Sequence, residues 1–196
     1  IKLKELKGFL LIKHILELFK SSWFSIATFS ASLKLNSINN NIIILYIIMT
    51  KVWGPITWEL LHVISYKINE QYFIDNRKKV LMIINSILSC LPCPECSSHA
   101  EYLYSSNIKK IVSKKTLIEF VFLLHNSVNV KIKKPEESFA ILKKYENIDL
   151  KNTIIKWYNI MATLKGVPKL MAINMNNKIL RKKILIFIKE NIKHFS

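Results

Sequence analysis

Cys93-Pro94-Glu95-Cys96 is the stretch whose residue types and spacing do chemistry, set in Leu91-Pro92-Cys93-Pro94-Glu95-Cys96-Ser97-Ser98-His99. Pro94 suits a first helical position, where its missing N–H costs nothing and its fixed φ is already helical. Cys93 then falls near the N-cap and Cys96 in the first turn, among unpaired N–H groups at the positive end of the dipole. That setting lowers a thiol pKa and favours the thiolate, the form that attacks disulfides or reduces a cofactor. His99 follows three residues after Cys96, on the same helical face. All three cysteines lie between Cys90 and Cys96. A secreted disulfide framework would spread them along the chain, so the cluster points to redox or metal chemistry.

Spacing alone leaves both open. As a redox pair the motif lacks the βαβ context of thioredoxin-like exchange, although flanking Pro92 and Pro94 suit that role. As a zinc site it needs four ligands: Cys93, Cys96 and His99 supply three, and His62 or His125 a fourth. Cys90 reads as a buried helical thiol, with a regulatory Cys90–Cys93 pair as the alternative.

Two further constellations bear on the choice. In Trp53-Gly54-Pro55-x-x-Trp58-x-x-x-His62, Trp58 and His62 stand one turn apart. In His125-Asn126-x-Val128-Asn129-x-Lys131-x-x-Lys134-Pro135, His125 and Asn129 share a face and two lysines follow. Aromatic and imidazole planes can sandwich a flat ring, Asn can read its edge and Lys can neutralise a pyrophosphate. Taken singly, the tryptophans read as core, the histidines as hydrogen-bonded core residues and the lysines as solvated. With only 3 Gly in the chain there is no Gly-rich dinucleotide loop, so any such ring must sit inside a helical bundle.

The elements that must carry these residues read as helices. Apolar spacing predicts helices over Pro55–Asn69, Asn76–Cys90 with Asp75-Asn76 as N-cap, Pro94–Ser105, and one capped by Ser113 running through Val130. A loop with Glu136 and Glu137 leads to a shorter helix at Asp149–Leu164, and Asn177–Phe195 forms a basic amphipathic helix. No strand alternation and no repeat is visible. The fold class is all-α: a four-helix bundle with a short fifth helix, in a domain spanning residues 49–164.

Composition agrees, being 51% hydrophobic with 5 Pro. The formal charge of +17 leans to the ends: eight Lys/Arg oppose only Glu190 in residues 165–196, and six oppose two acids in residues 1–48. An Ile, Asn and Lys bias fits an AT-rich coding sequence, so the charge reads as a solvated face rather than as specific nucleic-acid recognition. Residues 1–48 read as an extension: upstream in-frame translation first, a poorly ordered arm or weak membrane anchor otherwise. Ile42–Ile48 falls short of the roughly 20 apolar residues of a membrane span. For the 165–196 helix, covering the bundle is the first expectation, ahead of a dimer interface or a membrane surface.

In this order and spacing, the three motifs closely resemble the Erv/ALR-type FAD-linked sulfhydryl oxidases. Leu91-Pro92-Cys93-Pro94-x-Cys96-x-x-His99-Ala100 is especially similar to the small oxidases of poxviruses and other large cytoplasmic DNA viruses. The resemblance covers about Val52 to Pro135 and on to Trp157. It implies an FAD-binding bundle, usually homodimeric, in which Cys93 exchanges with incoming thiols and Cys96 lies against the flavin. It further implies flavin contacts from Gly54, Trp58, His62, His99, His125, Asn126, Val128, Asn129, Lys131 and Lys134, with Tyr66 and Trp157 added. Electrons would pass through FAD to O2, giving hydrogen peroxide. The chain lacks the second, shuttle cysteine pair of larger relatives, so a separate dithiol or thioredoxin-like protein is the expected partner. The implied location is the cytoplasm of an infected cell or the virion.

Overall fold

Short polar side chains and prolines divide this chain into helices. The structure, a computed structural model, describes residues 51–163 and 171–196. The expectations for residues 1–48, for Met49 as a domain start and for Leu164 lie outside them.

Helix α1 covers residues 51–67. It takes in the residues before Pro55, where Trp53 is already buried. Its inner face carries Leu61, His62 and Ser65, with Trp58 and Tyr66 half-buried. The chain breaks at Ile68, then Asn69 accepts a hydrogen bond from the Tyr72 amide and starts a short helix, α2 (Glu70–Asp75). Sequence periodicity missed α2 because a six-residue helix offers too few turns to show a stripe.

Helix α3 (Arg77–Ser89) buries Val80, Ile83, Ile84, Ile87 and Leu88, the stripe expected from spacing. Its N-cap differs from expectation. The Asn76 side chain donates back to the Tyr72 carbonyl, so Asn76 closes α2 and leaves the start of α3 without a side-chain cap. Leu91-Pro92 then stops the helix, since proline disfavours helix in the residue before it.

Helix α4 (Pro94–Asn107) runs into a 3-10 turn, Ile108–Lys110. Helix α5 (Lys114–Lys131) opens on a capping box: the Ser113 side chain accepts from the Thr116 amide, and Thr116 accepts from the Ser113 amide. Two orphan donors are satisfied at once, which places the helix start without ambiguity. Helix α6 (Leu150–Thr163) and helix α7 (Met171–Asn191) complete the chain, with a 3-10 turn at Ile192–His194.

Helices α1, α3, α4 and α5 form the four-helix bundle. Helix α6 lies along α1, where the Trp157 indole N–H donates to Thr57 Oγ1 at 3.2 Å. Helix α7 packs on α3 and α6 and buries Ile184 and Ile188 completely. Each such side chain contributes about 1.5–3 kcal/mol of burial free energy, so α7 is part of the core of the compact unit Ile47–Ser196. The last residues close the end of α1: the Asn69 amide donates to the His194 carbonyl and the Ser196 amide to the Lys67 carbonyl. Phe195 leaves the helix to make that isolated bridge with Ile68. Among the described residues there is no strand, and the all-α class stands.

Candidate functional site

The dithiol sits where the sequence places it. Cys93 is the N-cap of α4, in extended backbone conformation, with Pro94 opening the helix. Cys93 and Cys96 are joined as a disulfide, their Cα atoms 5.1 Å apart. The Cys96 amide donates to Cys93 Sγ at 3.0 Å. A sulfur that occupies an N-cap and accepts such a bond is stabilised as a thiolate once the disulfide opens. Ser97 Oγ donates to the Leu88 carbonyl, and Ser89 Oγ bonds Glu101, so the turn is tied down on both sides by α3 and α4. Cys93 is 3% exposed, whereas Cys96 is half-buried.

Cys90 is free and fully buried, with its thiol donating to the Ile87 carbonyl. Burial pushes its pKa up to about 12, against the opposing charge of Arg181. The Cys90–Cys93 pair is not made here: Cys93 is committed to Cys96.

The second constellation is a column of four rings. Trp58 of α1 stacks on His125 of α5, centroids 4.2 Å apart and planes within 10°. His125 Nδ1 meets His62 Nε2 at 3.0 Å, and His62 stacks on Tyr145 at 4.6 Å. Which nitrogen donates depends on the tautomers. His62 Nδ1 is buried with no partner. Burial, with lesser repulsion from His125 and Lys144, pushes His62 down to about 3. Burial, with Lys144 and Lys134, pushes His125 down to about 4. Both rings are therefore neutral at pH 7, and one N–H can serve the other's lone pair.

Lysines ring this column. The charges of Lys134 and Lys144 reach His125, and Lys144 Nζ lies 4.8 Å from the centre of the Tyr145 ring. Burial and then Lys131 hold His99 below its ordinary value, which places the α4 histidine in the field of the C-terminal end of α5. Asn126 secures the segment between: its amide donates to the Glu137 carbonyl at 3.0 Å and accepts the Glu137 amide at 2.9 Å. The Lys134 amide donates to the Asn129 carbonyl, and Lys133 turns the chain there in a left-handed conformation, φ 59°.

Trp58, His62, His125 and Tyr145 thus converge, with the charge of Lys134 felt at His125 and that of Lys131 at His99. Gly54 faces open space, since a Cβ there would touch nothing within 4 Å. Tyr66 and Val128 are half-buried nearby on α1 and α5, and Asn129 is buried. Asn126 spends its amide on the chain itself. Trp157 is fully buried with its N–H on Thr57, so it has no face open to a ligand in this packing. Sequence reasoning missed Lys144 and Tyr145, which lie in a 3-10 segment, Phe139–Tyr145. The available signal was Leu142 and Tyr145, three residues apart and both buried, the period of a 3-10 turn.

The zinc alternative is not assembled. The two sulfurs it needs are bonded to each other, and among the described residues no group of three or more His, Cys, Asp or Glu gathers around a metal position.

Similarity to known proteins follows the same residues. The Erv1 / Alr family model matches residues 55–150. Protein 347L of Invertebrate iridescent virus 6, which is named after the FAD-linked sulfhydryl oxidases, is 36% identical over 103 residues, 47% of this chain and 90% of that protein. Protein 096R of Invertebrate iridescent virus 3, named in the same way, is 34% identical over 88 residues, 44% of this chain and 60% of that protein. The FAD-linked sulfhydryl oxidase of African swine fever virus (isolate Tick/Malawi/Lil 20-1/1983) is 24% identical over 102 residues, covering 52% and 86%. No solved structure matches the chain. The chain belongs to the Erv1/Alr family.

Proposed function

We propose that this chain is an FAD-dependent thiol oxidase that makes disulfides in a partner protein. The observation that carries this is the Cys93–Cys96 disulfide at the N-terminus of α4, with Cys93 as the N-cap and Pro94 opening the helix. The family and the names of its viral relatives support it.

The residues present fit a flavin dinucleotide. His62 Nδ1 is a buried polar atom without a partner, Gly54 leaves space for a close approach, and Lys131, Lys134 and Lys144 offer charge to phosphates. His99, His125, Asn129 and Trp58 would hold the flat rings, with Tyr66 and Val128 beside them. When bound, FAD accepts two electrons from the dithiol and passes them to O2, giving hydrogen peroxide.

The chain's own part is thiol–disulfide exchange. A substrate thiolate attacks one sulfur of the Cys93–Cys96 disulfide, forming a mixed disulfide and releasing the other as thiolate. The substrate's second thiolate then attacks the mixed disulfide, and substrate leaves oxidised by two electrons with Cys93 and Cys96 reduced. The Cys96 amide and the start of α4 stabilise negative charge on Cys93 Sγ, so Cys93 is a good leaving group when the substrate's second thiolate resolves the mixed disulfide. Cys93 takes the exchange with substrate in this reading, and half-buried Cys96 faces the flavin.

A dithiol or thioredoxin-like substrate protein, a homodimeric assembly, and action in the cytoplasm of an infected cell or in the virion complete the reading. Turnover of a small dithiol with oxygen consumption tests it. Cys96→Ser should abolish turnover while flavin stays bound; turnover that survives Cys96→Ser overturns the assignment.

A further inference from the structure

Helix α7 has two faces, and among the described residues only one is packed against the fold. Ile184 and Ile188 point into the core. A helical projection at 3.6 residues per turn puts Lys178, Ile179, Lys182, Lys183, Ile186 and Lys189 on the opposite side, with Glu190. All of these are exposed, Ile179 at 55% and Ile186 at 42%. The two isoleucines are seven residues apart, so they stand in one line flanked by lysines.

We infer that this outer face of α7 lies on an anionic phospholipid surface. Apolar side chains between lysines are the pattern of a helix lying in the plane of an interface: the isoleucines enter the headgroup boundary and the lysine stems reach up to the phosphates. The lysines supply the attraction to a negative surface. A second copy of the same face is disfavoured, because a twofold contact would set lysines against lysines. Nucleic acid would use the charge but leave the isoleucines idle, and this face offers no aromatic ring for base stacking. The attachment is peripheral: among the described residues no helix is long and apolar enough to cross a membrane. It also leaves the fold intact, since the buried face of α7 stays on α3 and α6.

Sedimentation of the full chain with vesicles tests this without reference to flavin or turnover. Binding is expected to phosphatidylserine-containing vesicles and not to pure phosphatidylcholine, weakening as salt is raised. The double variants Lys182→Glu/Lys183→Glu and Ile179→Ser/Ile186→Ser should each weaken it by at least about tenfold. Lys109→Glu/Lys110→Glu, an exposed basic pair on another element, should leave it unchanged. All three pairs lie on the surface, and unchanged helical circular dichroism checks that each variant folds. No binding to anionic vesicles overturns the inference. Salt-sensitive binding that ignores the isoleucine substitutions also overturns it, being the behaviour of a general polyanion site.

Discussion

His62 Nε2 and His125 Nδ1 lie 3.0 Å apart, joining α1 to α5 through two imidazoles that are 63 residues apart in the chain. The contact requires at least one neutral ring, because two imidazolium ions have no lone pair to share. Burial holds both below their ordinary value, at about 3 and about 4.

Stability should therefore fall on mild acidification. With folded pKa values below the unfolded value of about 6.5, the contribution of the neutral rings is complete above that value and is lost as pH falls towards 4 and 3. At pH 5, buried His62 alone accounts for about 2 kcal/mol, and half-buried His125 for less because solvent screens it. Denaturant midpoints at pH 7 and pH 5 measure the loss, and His62→Gln should shrink it. A midpoint that does not move between the two pH values contradicts the pairing.

Asn126 should matter more for the loop it holds than for any ring it touches. Asn126→Ala removes two hydrogen bonds to the Glu137 backbone and leaves those groups to find water, a loss of about 1–3 kcal/mol. Freed, the segment from Lys131 to Tyr145 no longer fixes Lys134 or the Tyr145 ring, so flavin release should accelerate along with unfolding. Equal flavin retention in wild type and variant would place Lys134 and Tyr145 outside the binding site.

The longer helices were legible in the sequence because their signals are local. Ser113 before Leu117, Pro94 after Cys93 and the Val80–Leu88 stripe each report on one turn or one face. The His62–His125 contact was not legible. Spacing puts each histidine on a helix face but says nothing of how two helices rotate against each other, which packing decides. Tyr145 was hidden for another reason: it follows Pro135 and a charged stretch with no 3.6 period, and the 3-10 turn that carries it shows only through Leu142. Asn76 misled because its amide has two possible carbonyl and amide partners, and the C-terminal end of α2 took it.

Cysteine reactivity should separate the dithiol from Cys90. In reduced single-cysteine variants, alkylation should be fast at half-buried Cys96 and at Cys93, whose thiolate the start of α4 stabilises, and slowest at Cys90, whose pKa is raised to about 12. In the oxidised wild type, native protein should offer no reactive thiol, and unfolding should expose one, that of Cys90. Rapid labelling of Cys90 in the folded protein contradicts this arrangement.

The two faces of α7 should separate in stability measurements. Ile184→Ala removes a fully buried side chain against α3 and α6 and should cost about 2–5 kcal/mol. Ile179→Ser, on the exposed face, should stay within about 0.5 kcal/mol of wild type. Chemical denaturation of both variants decides it, and similar losses at the two positions would contradict the packing.

The most direct test of the oxidase reading is the visible spectrum of the purified full chain, taken without air while a dithiol is added and again after air returns. A yellow protein is expected, whose flavin band bleaches as Cys93 and Cys96 pass electrons on and recovers with oxygen. A colourless protein, or a flavin band that the dithiol leaves untouched, would contradict it.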